Sequence, residues 1–346
     1  MDSSQEKKQW VKITNKCNNN CIFCLDGDRR ALTHVPDTEV RAAIQKGLQL
    51  GASLLVLSGG DPTVNDLLRD YIKFGKDQGY GKVQIITNGR LLSYPGYWQG
   101  LVQAGLKEVT CSIHGHTKEL HDWHTRVPGS FQQSILAIKN LLSQRDVIVN
   151  TDTTITKQNY KYLPDILKFL TKLGIHEMNL MNIVPFGSAW RNQHKVLYTY
   201  AEVLPYVKKS IEYAREQGLN LWLSRFPPQY LEEFPEYMYD TGKILEDFEG
   251  SKESILNCRG KRCTWCGLNL VCASLRQVKN DRQKLRRIPD DWAFLELNDK
   301  SLKQVKAQVF QANKKVLLKY STDSHQSNLR MTEQLARLHK FLVKYP

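Results

Sequence analysis

The sequence predicts an α/β protein whose first part is a parallel β-sheet with crossover helices. Short apolar, β-branched runs alternate with longer amphipathic stretches up to about residue 218. A parallel strand needs a crossover connection to reach its neighbour, and a helix usually supplies it. Six such repeats therefore indicate a parallel sheet, although their spacing does not decide between an open sheet and a barrel.

The individual elements follow from runs rich in Val, Ile, Leu and Thr, which suit strands, and from amphipathic periodicity, which suits helices. Strands are predicted at 10–14, 53–58, 82–87, 108–113, 147–155 and 177–184. Helices are predicted at 37–50, 64–79, 95–104, 130–143, 159–173 and 201–218. The alternation stops near residue 222, which divides the chain into predicted units 1–222, 223–276 and 277–346.

Composition restricts the class of protein. The chain has 346 residues, 41% of them hydrophobic and 24% charged, which suits a large α/β domain with a smaller unit and excludes wholesale disorder. No segment approaches the ~18 uninterrupted apolar residues of a membrane span, and the first residues lack a signal-peptide pattern. We therefore expect a cytoplasmic protein with no membrane partner.

The charge is concentrated near the end of the chain. The net charge is +14, and residues 276–346 hold 16 Lys and Arg against 7 Asp and Glu. A basic segment of this kind suits an acidic partner such as nucleic acid, an acidic peptide or a phosphorylated substrate, but it also suits a plain solvated surface. We find no known RNA-binding motif that would favour nucleic acid.

Polar or glycine-rich groups follow every predicted strand. They are the cysteine loop after the first strand, "SGGDP" (58–62), "TNG" (87–89), "SIHGHT" (112–117), "NTDTT" (150–154) and "VPFG" (184–187). The carboxyl ends of parallel strands meet at one edge of a sheet, where active sites of α/β proteins assemble. The six loops therefore predict one site at that edge.

Seven of the eight cysteines fall into two short clusters, which in a chain without an export signal suits metal ligands or reactive thiols. Cys111 stands alone in an apolar run and is predicted to be a buried packing residue. Cys17, Cys21 and Cys24 form the first cluster, which suits either a zinc site completed by His34 or a [4Fe–4S] cluster with one iron left open. The polar neighbours of these thiols argue against cysteines that merely pack in a core.

In this order and on these strands, the motifs resemble those of the radical S-adenosylmethionine (SAM) enzymes. Their signature is C-x3-C-x-aromatic-C after the first strand, and Phe23 supplies the aromatic residue. The resemblance covers roughly residues 8–190 and includes "SGGDP", "TNG", "SIHG" with the following "HDWHTRVPGSF", and "NLMNIVPFG". It implies a partial (β/α)6 barrel resembling a TIM barrel.

The resemblance also implies the cofactors. Cys17, Cys21 and Cys24 would hold a [4Fe–4S] cluster whose open iron binds SAM, and an electron donor such as flavodoxin or ferredoxin would reduce it. Reductive cleavage of SAM would then yield a 5′-deoxyadenosyl radical that abstracts hydrogen from the substrate.

The same resemblance assigns SAM contacts. The strip that binds the amino group of SAM would be Gly59, Gly60, Asp61 and Pro62, although the family more often has Glu where Asp61 stands. Contacts to the ribose and carboxylate would come from Ser112, Asn150 and Thr154, and the adenine would lie against Phe23 and Val184.

Four histidines lie between residues 114 and 124. His121 and Asp122 match an "HD" element of the family, and Thr117 is predicted to cap the following helix. We assign structural roles to His116, His121 and His124. His114, at a strand end, is the one catalytic candidate, as a substrate contact or proton donor.

The second cluster, C-x4-C-x2-C-x5-C, suits either a closed zinc site or a complete [4Fe–4S] cluster. Its later part resembles the start of a SPASM/twitch-like extension, truncated because residue 276 is Arg. The resemblance therefore implies an auxiliary [4Fe–4S] cluster on Cys258, Cys263, Cys266 and Cys272.

Members of the family with such extensions often modify ribosomally made peptides, so a peptide or protein side chain is the substrate that the resemblance implies. Two alternatives within the family remain, a small molecule in cofactor or natural-product biosynthesis, and RNA. An alternative of another class is a non-catalytic iron–sulfur carrier, but such a protein has no use for the "SGGDP" strip.

Overall fold

The computed structural model describes residues 7–27 and 33–226, together with the backbone of two later strands at 292–296 and 315–319. The residues up to 226 contain a seven-stranded sheet whose strand order follows the chain order. Every neighbouring pair of its strands is parallel. The structure therefore confirms the predicted α/β fold class.

The strands of the sheet are β1 (Lys8–Thr14), β2 (Leu54–Gly59), β3 (Lys82–Thr87), β4 (Glu108–Ser112), β5 (Ile148–Thr154), β6 (Glu177–Met181) and β7 (Asn220–Ser224). The helices are α1 (Asp37–Gln49), α2 (Leu68–Gln78), α3 (Tyr97–Ala104), α4 (Lys118–Thr125), α5 (Ser130–Leu142), α6 (Leu163–Leu173), α7 (Gly187–Arg191), α8 (Gln193–Val196) and α9 (Tyr200–Glu216). Short 3₁₀ turns occupy Pro62–Val64, Arg90–Ser93 and Tyr160–Tyr162.

The two faces of the sheet differ in polarity because successive side chains of a strand point to opposite faces. One face is apolar: Leu55, Val83 and Ile85 are each at most 1% exposed. Helix α2 lies against this face, since a Cβ added to its Gly75 would lie 2.5 Å from a Leu55 methyl carbon. The opposite face carries polar side chains, of which Gln84 and Thr110 form a hydrogen bond of 2.8 Å.

The seventh strand, β7, was not predicted from the sequence. It is short, "NLWLS", and it alternates buried Leu221 and Leu223 with exposed Asn220 and Trp222. Its parallel register with β6, from Glu177↔Asn220 to Met181↔Ser224, supplies the pairing that makes it a strand. The unit boundary predicted at residue 222 falls inside this strand.

The second cysteine cluster and most of the predicted units 223–276 and 277–346 lie outside the described residues. In the last unit the structure describes β8 (Trp292–Glu296) and β9 (Lys315–Lys319), a parallel pair. Within the described ranges, no helix is both long enough and apolar enough to cross a bilayer.

Candidate active site

The cysteine loop is attached to the carboxyl end of β2 by backbone hydrogen bonds. Gly60 N donates to Thr14 O and Asp61 N donates to Lys16 O, each over 2.8 Å. A Cβ on Gly60 would lie 2.1 Å from Lys16 O, and Gly59 has a φ of +141° with Thr14 O equally close to the position of its Cβ. Glycine is therefore needed here because the chain that leads into Cys17 passes directly over the strip.

Asp61 joins the strip to the end of β3. Its carboxylate is 1% exposed and accepts hydrogen bonds from the Thr63 hydroxyl, from Thr63 N at 2.9 Å and from Asn88 N at 2.7 Å. The Thr87 hydroxyl lies 2.9 Å from both carboxylate oxygens. Burial raises the pKa of Asp61 above its usual range in spite of these bonds. The side chain points into the protein. Asp61 can therefore contribute to SAM binding only through its backbone and by positioning the strip.

The loop after β3 holds the first half of the cysteine loop. Asn88 Nδ2 donates to Asn18 Oδ1 over 2.6 Å and approaches Cys17 Sγ at 3.9 Å. Arg90 donates to Asn18 O, and its Nη1 lies 3.2 Å from Asn19 Oδ1. The motif "TNG" drew attention to Asn88 by its position, but nothing in the sequence assigned a partner to Arg90.

The second half of the loop is held by α4 and by the segment after β6. Ile22 N donates to His124 O and Ser188 N donates to Cys24 O, both over 2.9 Å. Gly187 has a φ of +54°, and a Cβ there would lie 2.3 Å from Leu25 O. The segment "VPFG", in which Val184 is 8% exposed, is thus packed against the end of the cysteine loop.

The three cysteines of the loop form no disulfide bond and are partly exposed. Cys17 Sγ also accepts a hydrogen bond from Asn19 N over 3.4 Å, a contact that a thiolate strengthens. Among the residues that the structure describes, no three His, Cys, Asp or Glu side chains are gathered in a preformed metal site, with or without His34. Three thiols on one anchored loop nevertheless suit a [4Fe–4S] cluster, and the binding of a metal cluster is commonly coupled to local folding.

His114 lies where the strand-end prediction placed it, beside Phe23. The two ring centroids are 4.6 Å apart in an edge-to-face arrangement. His114 is 4% exposed, and its Nδ1 accepts a hydrogen bond from Thr154 N over 3.3 Å. Burial, with the neighbouring His121 and His124, lowers the pKa of His114 well below its usual value. The ring is therefore neutral, and its proton is on Nε2. The structure brings together three of the predicted residues, Phe23, His114 and Thr154.

The other histidines have packing and hydrogen-bonding contacts. His124, at 0% exposure, bonds Leu120 O through Nδ1 and the Thr156 hydroxyl through Nε2, at 2.6 and 2.7 Å. Burial lowers the pKa of His124 to about 4. Burial also lowers the pKa of His121, to about 3, and the neighbouring His124 contributes to that shift. Thr117 caps α4 by accepting a bond from Leu120 N, as predicted.

Asp122 of the "HD" element organises the start of α5. Its carboxylate accepts bonds from Gly129 N, the Ser130 hydroxyl and Phe131 N at 2.7 to 2.8 Å. Burial pulls the pKa of Asp122 upwards, but the three hydrogen bonds outweigh burial and leave the pKa below its usual value. This element is therefore structural.

Strand register separates two of the residues predicted to contact SAM. Ser112, the last residue of β4, lies opposite Asp152, whereas Asn150 lies opposite Thr110, further from the edge. The Asn150 amide donates to Glu108 Oε1 over 2.9 Å, and Glu108 is the first residue of β4. The Asn150 amide is therefore held towards the amino end of the strands, and its contact with SAM stays a prediction. Asp152, in the row of Ser112, was missed, although the alternation in "NTDTT" places it on the same face.

The lone Cys111 is 0% exposed, as predicted for a packing residue. Burial, with the nearby carboxylates of Asp61 and Asp152, raises the pKa of its thiol to about 12, so this thiol stays protonated.

Residues 11–170, which include the cysteine loop and the strip, match the model of the Radical SAM superfamily. These residues form a Radical SAM domain, and the protein is an enzyme. A domain of this superfamily implies a [4Fe–4S] cluster and SAM as cofactors, together with an electron donor.

Curated relatives cover part of the chain. A "Probable GTP 3',8-cyclase" from Sulfurisphaera tokodaii is 28% identical over 221 residues, which are 64% of this chain and 68% of that protein. An "AdoMet-dependent heme synthase" from Oleidesulfovibrio alaskensis is 31% identical over 202 residues, which are 56% of this chain and 50% of that protein. The chain thus spans between half and about two thirds of the length of these relatives.

Solved structures share the fold. Streptococcus suis SuiB, bound to the precursor peptide SuiA, superposes with a TM-score of 0.55 at 16% identity, covering 68% of this chain and 53% of that one. HydG, described as a maturase of the [FeFe]-hydrogenase, superposes with a TM-score of 0.53 at 15% identity, covering 65% and 53%. At these identities the likeness concerns the fold alone.

Proposed function

We propose that this radical SAM enzyme binds its [4Fe–4S] cluster through Cys17, Cys21 and Cys24 and acts on a peptide or protein side chain. When bound, the reduced cluster and SAM supply a 5′-deoxyadenosyl radical that removes a hydrogen atom from the substrate. The observation that carries the cluster assignment is the attachment of the cysteine loop to the ends of β2, β3, α4 and β6 described above. Such an anchored loop at the carboxyl edge positions reactive groups in an α/β sheet.

Each anchor has a distinct role in this proposal. Gly59 and Gly60 let the loop lie close to β2, and Asp61 fixes the strip by accepting a hydrogen bond from the Asn88 backbone N–H. The N–H donors near Cys17 stabilise a thiolate there, because a hydrogen bond to an ionised acceptor is stronger than one to a neutral acceptor. Ser112 and Thr154, at strand ends, are the polar side chains that we assign to the ribose and carboxylate of SAM. Phe23 and Val184 are the apolar side chains that we assign to its adenine.

His114 is proposed to contact the substrate through Nε2. It is neutral and its Nδ1 is already an acceptor, so Nε2–H is the donor that it offers. A neutral imidazole can donate this proton without first becoming charged, which suits a buried site.

A peptide substrate is supported by the fold likeness to SuiB, which was solved with a precursor peptide bound. A small-molecule substrate is the second candidate, because the curated relatives are named for reactions of GTP and haem. We also propose an auxiliary [4Fe–4S] cluster on Cys258, Cys263, Cys266 and Cys272, which lie outside the described residues. Nucleic acid as a partner is supported by the basic segment alone.

The cluster assignment is tested with a triple Cys17→Ala, Cys21→Ala, Cys24→Ala variant under anaerobic conditions. With SAM and dithionite it should form no 5′-deoxyadenosine, whereas the matched control Cys111→Ala should form as much as the unaltered protein. Undiminished cleavage by the triple variant would overturn the assignment.

The substrate class is tested separately by hydrogen transfer. The enzyme is incubated with SAM and side-chain-deuterated peptides, or with deuterated GTP, and the 5′-deoxyadenosine is analysed by mass spectrometry. Deuterium from a peptide supports the proposal, and deuterium from GTP alone replaces it with the small-molecule candidate.

A further inference from the structure

The polar face of the sheet carries a network of side chains that bond one another across neighbouring strands. Lys82 Nζ lies 3.2 Å from Glu108 Oε2, and Glu108 Oε1 accepts from Asn150. Asn179 Nδ2 of β6 donates to Asp152 Oδ1 over 3.0 Å, and the Ser224 hydroxyl donates to Asn179 Oδ1. The first group lies near the amino ends of its strands, and the second lies near the carboxyl ends.

Register places Asp152 at the level of the predicted SAM contacts. It lies opposite Ser112 of β4 and opposite Asn179 of β6. Neighbouring strands are about 4.8 Å apart, so the Asp152 and Ser112 side chains are lateral neighbours on one face. Asp152 is also partly exposed, so a ligand on that face can reach it.

The Asp152 carboxylate keeps one oxygen without a hydrogen-bond donor. In the described ranges, Oδ1 accepts from Asn179 and no group donates to Oδ2. Nor does any described cation lie within ion-pair distance of this carboxylate. Asp61, in contrast, has both of its oxygens bonded by four donors. The Asp152 carboxylate is thus held by Asn179 through Oδ1, while Oδ2, on a partly exposed residue, is accessible to a ligand on the polar face.

Charges around Asp152 act from a distance. Burial raises the pKa of Asp152 to about 6, while Arg225 and Lys8 lower it without touching it. Asp152 lies on the polar face of the sheet, opposite the apolar face against which α2 packs.

We propose that Asp152 is a substrate-binding residue that accepts a hydrogen bond from a nitrogen group, N–H or N⁺–H, of the substrate. Asn179 and Ser224 fix the orientation of the carboxylate and leave Oδ2 for the ligand. An amine or guanidine nitrogen of a peptide side chain and a ring or exocyclic nitrogen of a nucleoside share this chemistry. The inference rests on the proposed function, because it places the substrate on the polar face of the sheet, beside the SAM contact proposed for Ser112.

The experiment compares the reconstituted full-length protein with Asp152→Asn, which keeps the shape and loses the charge. The matched control is Asp146→Asn, an exposed residue in the turn before β5. Dissociation constants are measured in the presence of SAM for N-acetyl-lysinamide, N-acetyl-argininamide, guanosine and N-acetyl-norleucinamide. The last probe has the length of lysine but no side-chain nitrogen.

We expect at least one nitrogen probe to bind about tenfold more tightly than the norleucine probe, a preference equivalent to about 1.4 kcal/mol. Asp152→Asn should reduce that preference to less than threefold, and Asp146→Asn should keep it. Preference for a lysine or arginine probe indicates a peptide source, and preference for guanosine indicates a nucleoside source.

Two results would overturn the inference: no nitrogen preference in the unaltered protein, or an undiminished preference in Asp152→Asn. If Asp152→Asn does not fold, Asp152→Glu, which moves the carboxylate by one methylene, is measured in the same way. Substrate-free formation of 5′-deoxyadenosine is recorded for every variant. If the unaltered protein forms no 5′-deoxyadenosine, the proposed function is contradicted, whereas the two results above contradict only the role of Asp152. The two failures are therefore distinguishable.

Discussion

Replacing Asp61 by Ala tests whether this buried carboxylate holds the strip after β2 to the end of β3. The substitution removes the acceptor for Thr63 N and Asn88 N, which lie on residues 3% and 8% exposed. It also removes the partner of the Thr63 and Thr87 hydroxyls. The hydroxyls can rotate towards other acceptors, but the two backbone N–H groups cannot.

The magnitude follows from the two orphaned N–H groups. Each buried donor left without a partner costs about 1–3 kcal/mol, so the pair costs about 2–6 kcal/mol. Against this stands the relief of removing a buried carboxylate, since burial raises the pKa of Asp61. That relief offsets part of the cost, so we expect the free energy of unfolding to fall by an amount near the lower end of this range, about 2–3 kcal/mol. Asp61→Asn keeps one acceptor oxygen, so its loss should be roughly half as large.

Urea denaturation of the apoprotein followed by circular dichroism measures the change. The matched control is Asp66→Ala, five residues further on and exposed, which should change the free energy of unfolding by less than about 0.5 kcal/mol. Iron content after reconstitution should fall with Asp61→Ala because Asn88, which it positions, contacts the loop at Cys17. A loss below about 1 kcal/mol for Asp61→Ala would refute the reasoning that the carboxylate supports the strip.

Three further predictions concern the strip, the polar face and the second cluster. Gly60→Ala should lower both stability and iron content, because its Cβ would lie 2.1 Å from Lys16 O. The control Gly100→Ala has open space around its Cβ and should leave both unchanged. Thermal melting and iron analysis measure the two quantities. The raised pKa of Asp152, about 6, means that the unfolded chain releases this proton at lower pH than the folded one. Stability should therefore fall by roughly 2–3 kcal/mol as the pH rises from about 4 to about 6, and urea titrations should show a smaller fall for Asp152→Asn. The reconstituted protein should carry ~8 Fe per chain, and Cys272→Ser should leave ~4 Fe, whereas an unchanged iron content would remove Cys272 from the proposed ligands.

The strand–helix order and the chemistry of the cysteine loop could be predicted from the sequence because both are local. Strand β3 lies at the predicted range 82–87, and α1 begins at the predicted Asp37. The cap at Thr117 and the burial of Cys111 follow from short-range patterns of the same kind. A cysteine spacing likewise restricts the bound group, because ligand type and spacing select the metal.

The short strand β7 could not be predicted in this way. Its five residues carry little apolar periodicity of their own, and the parallel pairing with β6 makes them a strand. Neighbours in space therefore decided where the sheet ends, since strand propensity depends strongly on tertiary context.

The sequence by itself determined which groups reach the carboxyl edge, and the tertiary structure decided what each one touches there. Gly59 and Gly60 were predicted to contact SAM, and the structure shows that their missing side chains make room for the backbone at Thr14 and Lys16. Asn150 and Asp152 are two residues apart, so the sequence predicts that both side chains lie on the same face of β5. Strand register places Asn150 beside Thr110 and Asp152 beside Ser112. The physical reason is that register, inward orientation and close backbone approach depend on residues far apart along the chain, which only folding brings together.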